Sequence, residues 1–222
     1  VMYLKICNRN DIACVTKNCN DLFQVAMKGD ASLKMESLEP MHIDLIDGNL
    51  ATLTYKLFDS TAIGFINCVL DDVRFDAAQL NLHVDLRCPS FVLKGQYDIS
   101  GHLFAIPLEG NGDYSLISSE YRSVHPKLVG FLTIVGIDGS NYMTVHNYKT
   151  ETEPLEPIIF DFKNLFNGQK DLADAVLKFA NENWKEVAHE VDEPVLAANI
   201  KKVMKNANKY LKTIPVDQFL VL

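Results

Sequence analysis

The sequence predicts an α+β protein in which a strongly curved antiparallel β-sheet wraps a long C-terminal α-helix, with a short helix near the N-terminus. Three observations predict it. Apolar residues recur at a period of two from about Met41 to Phe162, and at helical spacing from Leu172 to Leu211 and again from Asp11 to Gly29. No helix-length segment interrupts the middle stretch, which argues against a parallel sheet of βαβ units and for an antiparallel meander. A single domain over residues 1–222 is expected, long enough to bury a substantial core.

The elements follow in order. Ile12, Val15, Cys19, Leu22, Phe23 and Ala26 form one helical stripe, with Asp11 as N-cap and Gly29 as stop. Strand alternation then appears in Leu53, Tyr55 and Leu57, in Val69, Val73 and Phe75, in Leu80 to Leu86, and in Phe91, Leu93, Tyr97 and Ile99. Asp47-Gly48, Ser100-Gly101, Gly110-Asn111-Gly112 and Asp138-Gly139 supply the turns, the last joining strands at Phe131 to Ile137 and Ser140 to Lys149. Ile158 to Phe162 reads as a last strand, and Asn167-Gly168 turns out of it. Leu172, Val176, Phe179, Ala180, Trp184, Val187, Ala188 and Val191 mark one helical stripe, and Leu196, Ile200, Val203, Met204, Ala207 and Leu211 a second. Pro194 between them is either the first-turn proline of a new helix or a kink in a single one. Val1-Met2-Tyr3-Leu4 is too short for a signal-peptide core, so the chain is expected to begin at its mature start.

Five cysteines are present, with no zinc-type spacing. A bridge between Cys7 and Cys14 would tie the N-terminal arm to the first helical turn at a gain of roughly 2 to 3 kcal/mol. Two free thiols are the alternative that the spacing leaves open. Cys19 falls on the apolar stripe and reads as a small core residue with an inert thiol. For Cys68 and Cys88, matching apolar faces pairs Phe75 with Leu80, Val73 with Leu82 and Val69 with Leu86. This puts Cys68 on the polar face and Cys88 on the apolar one, so both are expected reduced unless a β-bulge intervenes.

Charge and motifs exclude several classes of function. A formal charge of −8 and a pI near 5.2 disfavour a nucleic-acid binder and an anionic membrane as default partner. His42, His83, His102, His125, His146 and His189 fall singly on separate elements, so no metal site is expected, and no cofactor motif is present. Neither a Gly-x-Ser-x-Gly elbow nor a dinucleotide loop occurs, which argues against an enzyme, an esterase for hydrophobic esters included. Asp71-Asp72 should point to opposite faces of a strand, and Asp192-Glu193 should sit at a helix N-terminus. Lys201, Lys205, Lys209 and Lys212 form a basic stripe that suits a solvated face, or an anionic membrane surface.

What remains is an apolar surplus: 48% hydrophobic residues and a mean hydropathy of +0.01, with no run approaching the ~20 residues of a membrane span. Side chains of uneven size on the last helix, Trp184, Val203, Met204 and Ala207, facing a curved sheet can either pack together or leave a void for an apolar ligand.

The chain also resembles the insect takeout and haemolymph juvenile-hormone-binding proteins. The resemblance rests on Cys7 and Cys14, Ser37-Leu38-Glu39-Pro40, Gly95 to Gly101, Ile106-Pro107-Leu108 with Gly110 and Gly112, and Leu165 to Gly168 with Asn181 to Trp184. Cys68 and Cys88, and a segment before Ser37 that lacks the usual proline loop, make the takeout branch the closer match. The resemblance implies the tubular lipid-binding fold, a Cys7–Cys14 disulfide and a secreted, non-enzymatic carrier; the sequence leaves its oligomeric state open, with a monomer favoured. Its ligand would be an elongated hydrophobic molecule such as a terpenoid, fatty-acid derivative, isoprenoid, pigment or semiochemical, and stable membrane insertion is not expected. A membrane-active or lipopolysaccharide-binding defence protein of related fold is the alternative. Candidate ligand contacts are Phe91, Leu93, Tyr97, Phe131, Val135, Trp184, Val187, Val203, Met204 and Ala207, with hydroxyls available from Tyr97, Tyr142, Thr144 and Tyr148.

Overall fold

Helix α1, Ile12–Lys28, starts where the Asp11 carboxylate accepts the Cys14 amide at 3.1 Å and stops at Gly29, whose φ is 74°. The computed structural model describes residues 4–76, 81–119, 121–122, 131–132, 135–137, 140–146 and 153–221. Its strands are β1 (Cys7–Asn8), β2 (Met41–Asn49), β3 (Leu53–Ile63), β4 (Val69–Asp76), β5 (Asn81–Cys88), β6 (Phe91–Leu103), β7 (Ile106–Ser118), β8 (Tyr121–Arg122), β9 (Phe131–Leu132), β10 (Val135–Ile137), β11 (Ser140–Tyr142), β12 (Val145–His146), β13 (Glu153–Pro154), β14 (Ile158–Phe162) and β15 (Leu220–Val221). Two further helices, α2 (Lys170–Glu182) and α3 (Trp184–Leu211), precede the last of these.

The expected simple meander is corrected. A five-stranded sheet runs β14-β7-β6-β3-β2, so β3 pairs with β6, and the β4–β5 hairpin between them leaves to form a second sheet, β13-β8-β5-β4. Strands β10 and β11 pair antiparallel, Ile137 with Ser140, while Asp138 and Gly139 of the expected turn lie outside the described residues. Residues 147–149 of the predicted strand lie outside the described residues, as do Leu80, His125 and Tyr148. A short parallel pair, β1 with β15, joins the two ends of the chain, an arrangement the sequence pattern did not announce.

The hairpin register overturns the expectation for Cys68 and Cys88, which are bridged, with Cα atoms 4.1 Å apart. Phe75 pairs with Leu82 and Val73 with Val84; a bulge between Leu70 and Asp72 then brings Leu70 opposite Leu86 and Val69 opposite Arg87. Without that extra residue Val69 would have faced Cys88. With it, the next pair along the ladder is Cys68 and Cys88. Asp71 and Asp72 sit at the bulge and hold Arg87 and Arg74 at 3.1 and 2.6 Å. The expected Cys7–Cys14 bridge is present, leaving Cys19 as the free cysteine. Replacing Cys68 and Cys88 together by Ala is expected to lower stability by about 3 kcal/mol, read from urea unfolding, because a loop of this length is then no longer closed in the unfolded chain.

The C-terminal helices are corrected in one detail. The break falls at Asn183, with φ −113° and ψ 37°, and Pro194 lies inside α3, which runs unbroken for 28 residues, about 42 Å. Pro194 lacks an N–H for the Glu190 carbonyl, but Glu190 is exposed and water can serve it instead. Asp192 and Glu193 are therefore mid-helix residues and not a helix N-terminus.

Candidate functional site

Three asparagines tie the helices to strands, and a fourth ties α1 to the N-terminal arm. Asn20 on α1 accepts the Leu70 amide at 2.9 Å and donates to the Leu70 carbonyl at 2.8 Å. Asn181 on α2 does the same to Phe160 at 2.8 and 3.0 Å, and Asn208 on α3 to Val145 at 2.7 and 2.8 Å. Asn18 treats Lys5 likewise, at 3.1 and 2.7 Å. A primary amide presents one acceptor and one donor side by side, as a neighbouring strand would. Among the described residues β4 and β14 are edge strands and β12 pairs only with β9, so each helix caps an exposed ladder with a side chain. Leu70, Val145 and Phe160 all point their own side chains into the interior cavity. Asn181→Ala is expected to cost about 3 kcal/mol in urea unfolding, since it strands both backbone groups of Phe160 at the sheet edge.

The family-like motifs also converge. Gly110 and Gly112 on β7 have φ of +153° and +155°, and a Cβ on Gly110 would lie 2.9 Å from the Leu165 Cα. That close approach lets the turn at Leu165 to Gly168 settle on the strand, with Tyr97 donating to the Lys163 carbonyl at 2.6 Å and Asn164 to the Asn111 carbonyl at 3.0 Å. Phe166, Asn167 and Gly168 all carry positive φ, which reverses the chain before α2 begins. Ser37 to Pro40 serves a parallel purpose: Leu38 is buried in the core, and the Glu39 carboxylate accepts the Gly64 amide at 2.9 Å and the Ile66 amide at 3.3 Å.

Between these walls lie two apolar cavities. The larger gives the centre of a water-sized sphere about 160 Å³ to occupy. Its walls come from Cys19, Leu22 and Phe23 of α1, from Leu82, Val84, Leu86 and Cys88 of β5, from Phe91, Leu116, Ile158 and Phe160 of the main sheet, and from Ala188 to Leu211 of α3. The smaller, about 70 Å³ by the same measure, is lined by Leu53, Tyr55, Leu57, Ile99, Leu103 and Leu108, with Val176, Leu177 and Ala180 of α2. Polar side chains are few: Ser118 and Asp192 on the larger cavity, Tyr55 on the smaller. Tyr55 donates to the Val191 carbonyl at 2.6 Å, tying β3 to α3, and burial, with Asp192 and Glu193 nearby, raises its pKa. Burial pushes the Cys19 thiol up to about 12, so it stays protonated and unreactive on the cavity wall.

The structure sorts the sequence candidates. Phe91, Val203, Met204 and Ala207 line the larger cavity, and Val187 the smaller. Leu93, Tyr97 and Trp184 belong to the surrounding core: Leu93 and Tyr97 are fully buried, Tyr97 stands edge-on to Phe162 with ring centroids 4.8 Å apart, and Trp184 packs from the margin. Burial raises the Tyr97 phenol to about 12. Phe131 and Val135 pair with His146 and Tyr142, and their side chains lie outside the described residues. Thr144 is buried, its hydroxyl 2.7 Å from the His146 ring. Sequence reasoning did not single out Cys19, Leu22 and Phe23, the β4–β5 hairpin, Leu116 or Phe160 as lining. Their apolar periodicity was visible, but nothing in it said that their shared neighbour was a void. Of the lysine stripe, Lys209 donates to the Lys34 carbonyl, while Lys201, Lys205 and Lys212 are exposed.

A long helix held inside curved antiparallel sheets, with apolar cavities between, defines the tubular α+β class that the resemblance implies. Within it the chain belongs to the haemolymph juvenile hormone binding protein (JHBP) family, whose family model matches residues 1–221. It is 25% identical over 228 residues to the circadian clock-controlled protein daywake of Drosophila melanogaster, covering 97% of this chain and 86% of that protein. The daywake protein of Drosophila yakuba is similar to the same degree, 25% over 227 residues, with 97% and 86% covered. The crystal structure of Epiphyas postvittana Takeout 1 superposes with a TM-score of 0.88 at 26% identity, covering 98% of this chain and all of that one.

Proposed function

We propose that this protein is a secreted carrier that shelters an elongated hydrophobic molecule, of terpenoid, fatty-acid, isoprenoid, pigment or semiochemical type, between α3 and the sheets. The observation that carries the reading is the larger cavity, with walls of aliphatic and aromatic side chains drawn from both sheets and two helices. Membership of a family named for hormone binding, and two disulfides suited to an oxidising compartment, support it. A ligand of ~20 heavy atoms hiding roughly 400 Å² of apolar surface gains at most about 10 kcal/mol, and ordinary ligand efficiency about 6. Dissociation constants from below micromolar to tens of micromolar follow. Candidate contacts are Phe91, Val187, Val203, Met204 and Ala207, together with Phe131 and Val135. Organic extraction of the purified protein, followed by mass spectrometry, should recover a stoichiometric lipophile. Repeated recovery of none, together with no uptake of long-chain ligands, would overturn the proposal.

A further inference from the structure

The two cavities meet at four side chains. Leu116, Phe160, Val191 and Val195 line both. Leu116 and Phe160 are direct cross-strand partners on β7 and β14, and Val191 and Val195 lie one helical turn apart on α3, so a sheet pair opposes a helix pair. The two sides differ in rigidity. Phe160 is held from the sheet side by the β7 ladder and from the other by the two hydrogen bonds that Asn181 makes to its backbone. The helix side carries Pro194 within this same turn, which removes one backbone hydrogen bond from α3 and is the kind of position at which helices bend.

We propose that these four side chains form a gate between the chambers and set the length of hydrophobic chain the protein accepts. The inference rests on the carrier reading. A short chain fills the larger cavity alone, whereas a longer one must part Val191 and Val195 from Leu116 and Phe160 to reach the smaller. Asn181 acts as a positioning residue that keeps the sheet side still while α3 yields.

The test is displacement of the dye N-phenyl-1-naphthylamine by straight-chain primary alcohols of about 8 to about 20 carbons, where each newly buried methylene strengthens binding about fourfold. In the wild type the affinity should climb with length and then flatten once the larger cavity is full. Leu116→Ala, which widens the gate, should extend the climb and raise the affinity of the longest alcohols relative to the shortest about tenfold. Val191→Phe, which narrows it, should lower the affinity of the long alcohols relative to the short ones about tenfold or more. Thermal unfolding checks that both variants fold, and either one alone decides the question. Parallel shifts at every chain length, or an unchanged length profile in a folded variant, would overturn the gate. Failure of the wild type to bind the dye or any alcohol would overturn the carrier reading as well.

Discussion

Ala207→Trp is expected to weaken binding of long-chain apolar ligands about 100-fold, roughly 2.7 kcal/mol, while leaving the protein folded. Ala207 lies on the inward face of α3 with Val203 and Leu211 one turn to either side, and all three line the larger cavity. An indole placed there competes with the ligand for the same space. Inserting bulk into a filled core costs about 1–3 kcal/mol in displaced side chains. Here the neighbouring void accepts the ring, so the stability change should stay at or below about 1 kcal/mol, measured by urea unfolding beside the dye-displacement assay. Leu172→Trp, at an exposed site on α2, is the matched control and should leave affinity unchanged. Full affinity in folded Ala207→Trp would place the ligand elsewhere and remove the larger cavity from consideration.

Gly110→Val is expected to prevent stable folding, with a loss above about 4 kcal/mol. Two costs add. The φ of +153° is one that side-chain-bearing residues rarely adopt, most of all a β-branched one, and the new Cβ would stand 2.9 Å from the Leu165 Cα and 3.1 Å from the Tyr97 hydroxyl. Neither neighbour can give way cheaply, because Leu165 is backbone in the turn that launches α2 and Tyr97 is fixed by its bond to Lys163. Circular dichroism and urea unfolding of the purified variant provide the check. A cooperative transition within about 1 kcal/mol of wild type would show that the turn can dock without the close approach.

Much of the fold was legible because it is written in periods. Alternation over Leu53 to Leu57 and over Phe91 to Ile99 matches strands β3 and β6, and the stripe from Ile12 to Ala26 matches α1 with both its ends. The failures share a cause. One residue of bulge at Leu70 to Asp72 reversed the inference about Cys68 and Cys88, because a single insertion moves every later side chain to the other partner. The proline at 194 marked the expected break, whereas the helices part at Asn183, inside a stripe whose apolar period ran on from Leu172 to Val191 without a signal. Asparagine is a poor helix former, so Asn18, Asn20, Asn181 and Asn208 inside helices were a signal that went unread. Their purpose is visible only when a strand edge lies alongside.

By itself the sequence determined the kinds of element, the long amphipathic helix, the turn at Asn167-Gly168 and the surplus of apolar surface that has to be buried. Those are consequences of local propensity and of hydrophobic period, which act over a few residues at a time. Tertiary structure alone decided that Cys68 meets Cys88, that Gly110 and Gly112 receive the turn at Leu165 to Gly168, and that Phe91 and Ala207 face a void while Leu93 and Trp184 do not. The reason is geometric. A residue's pattern says that it leaves water, but whether it touches another side chain or empty space depends on distances between elements far apart in the chain.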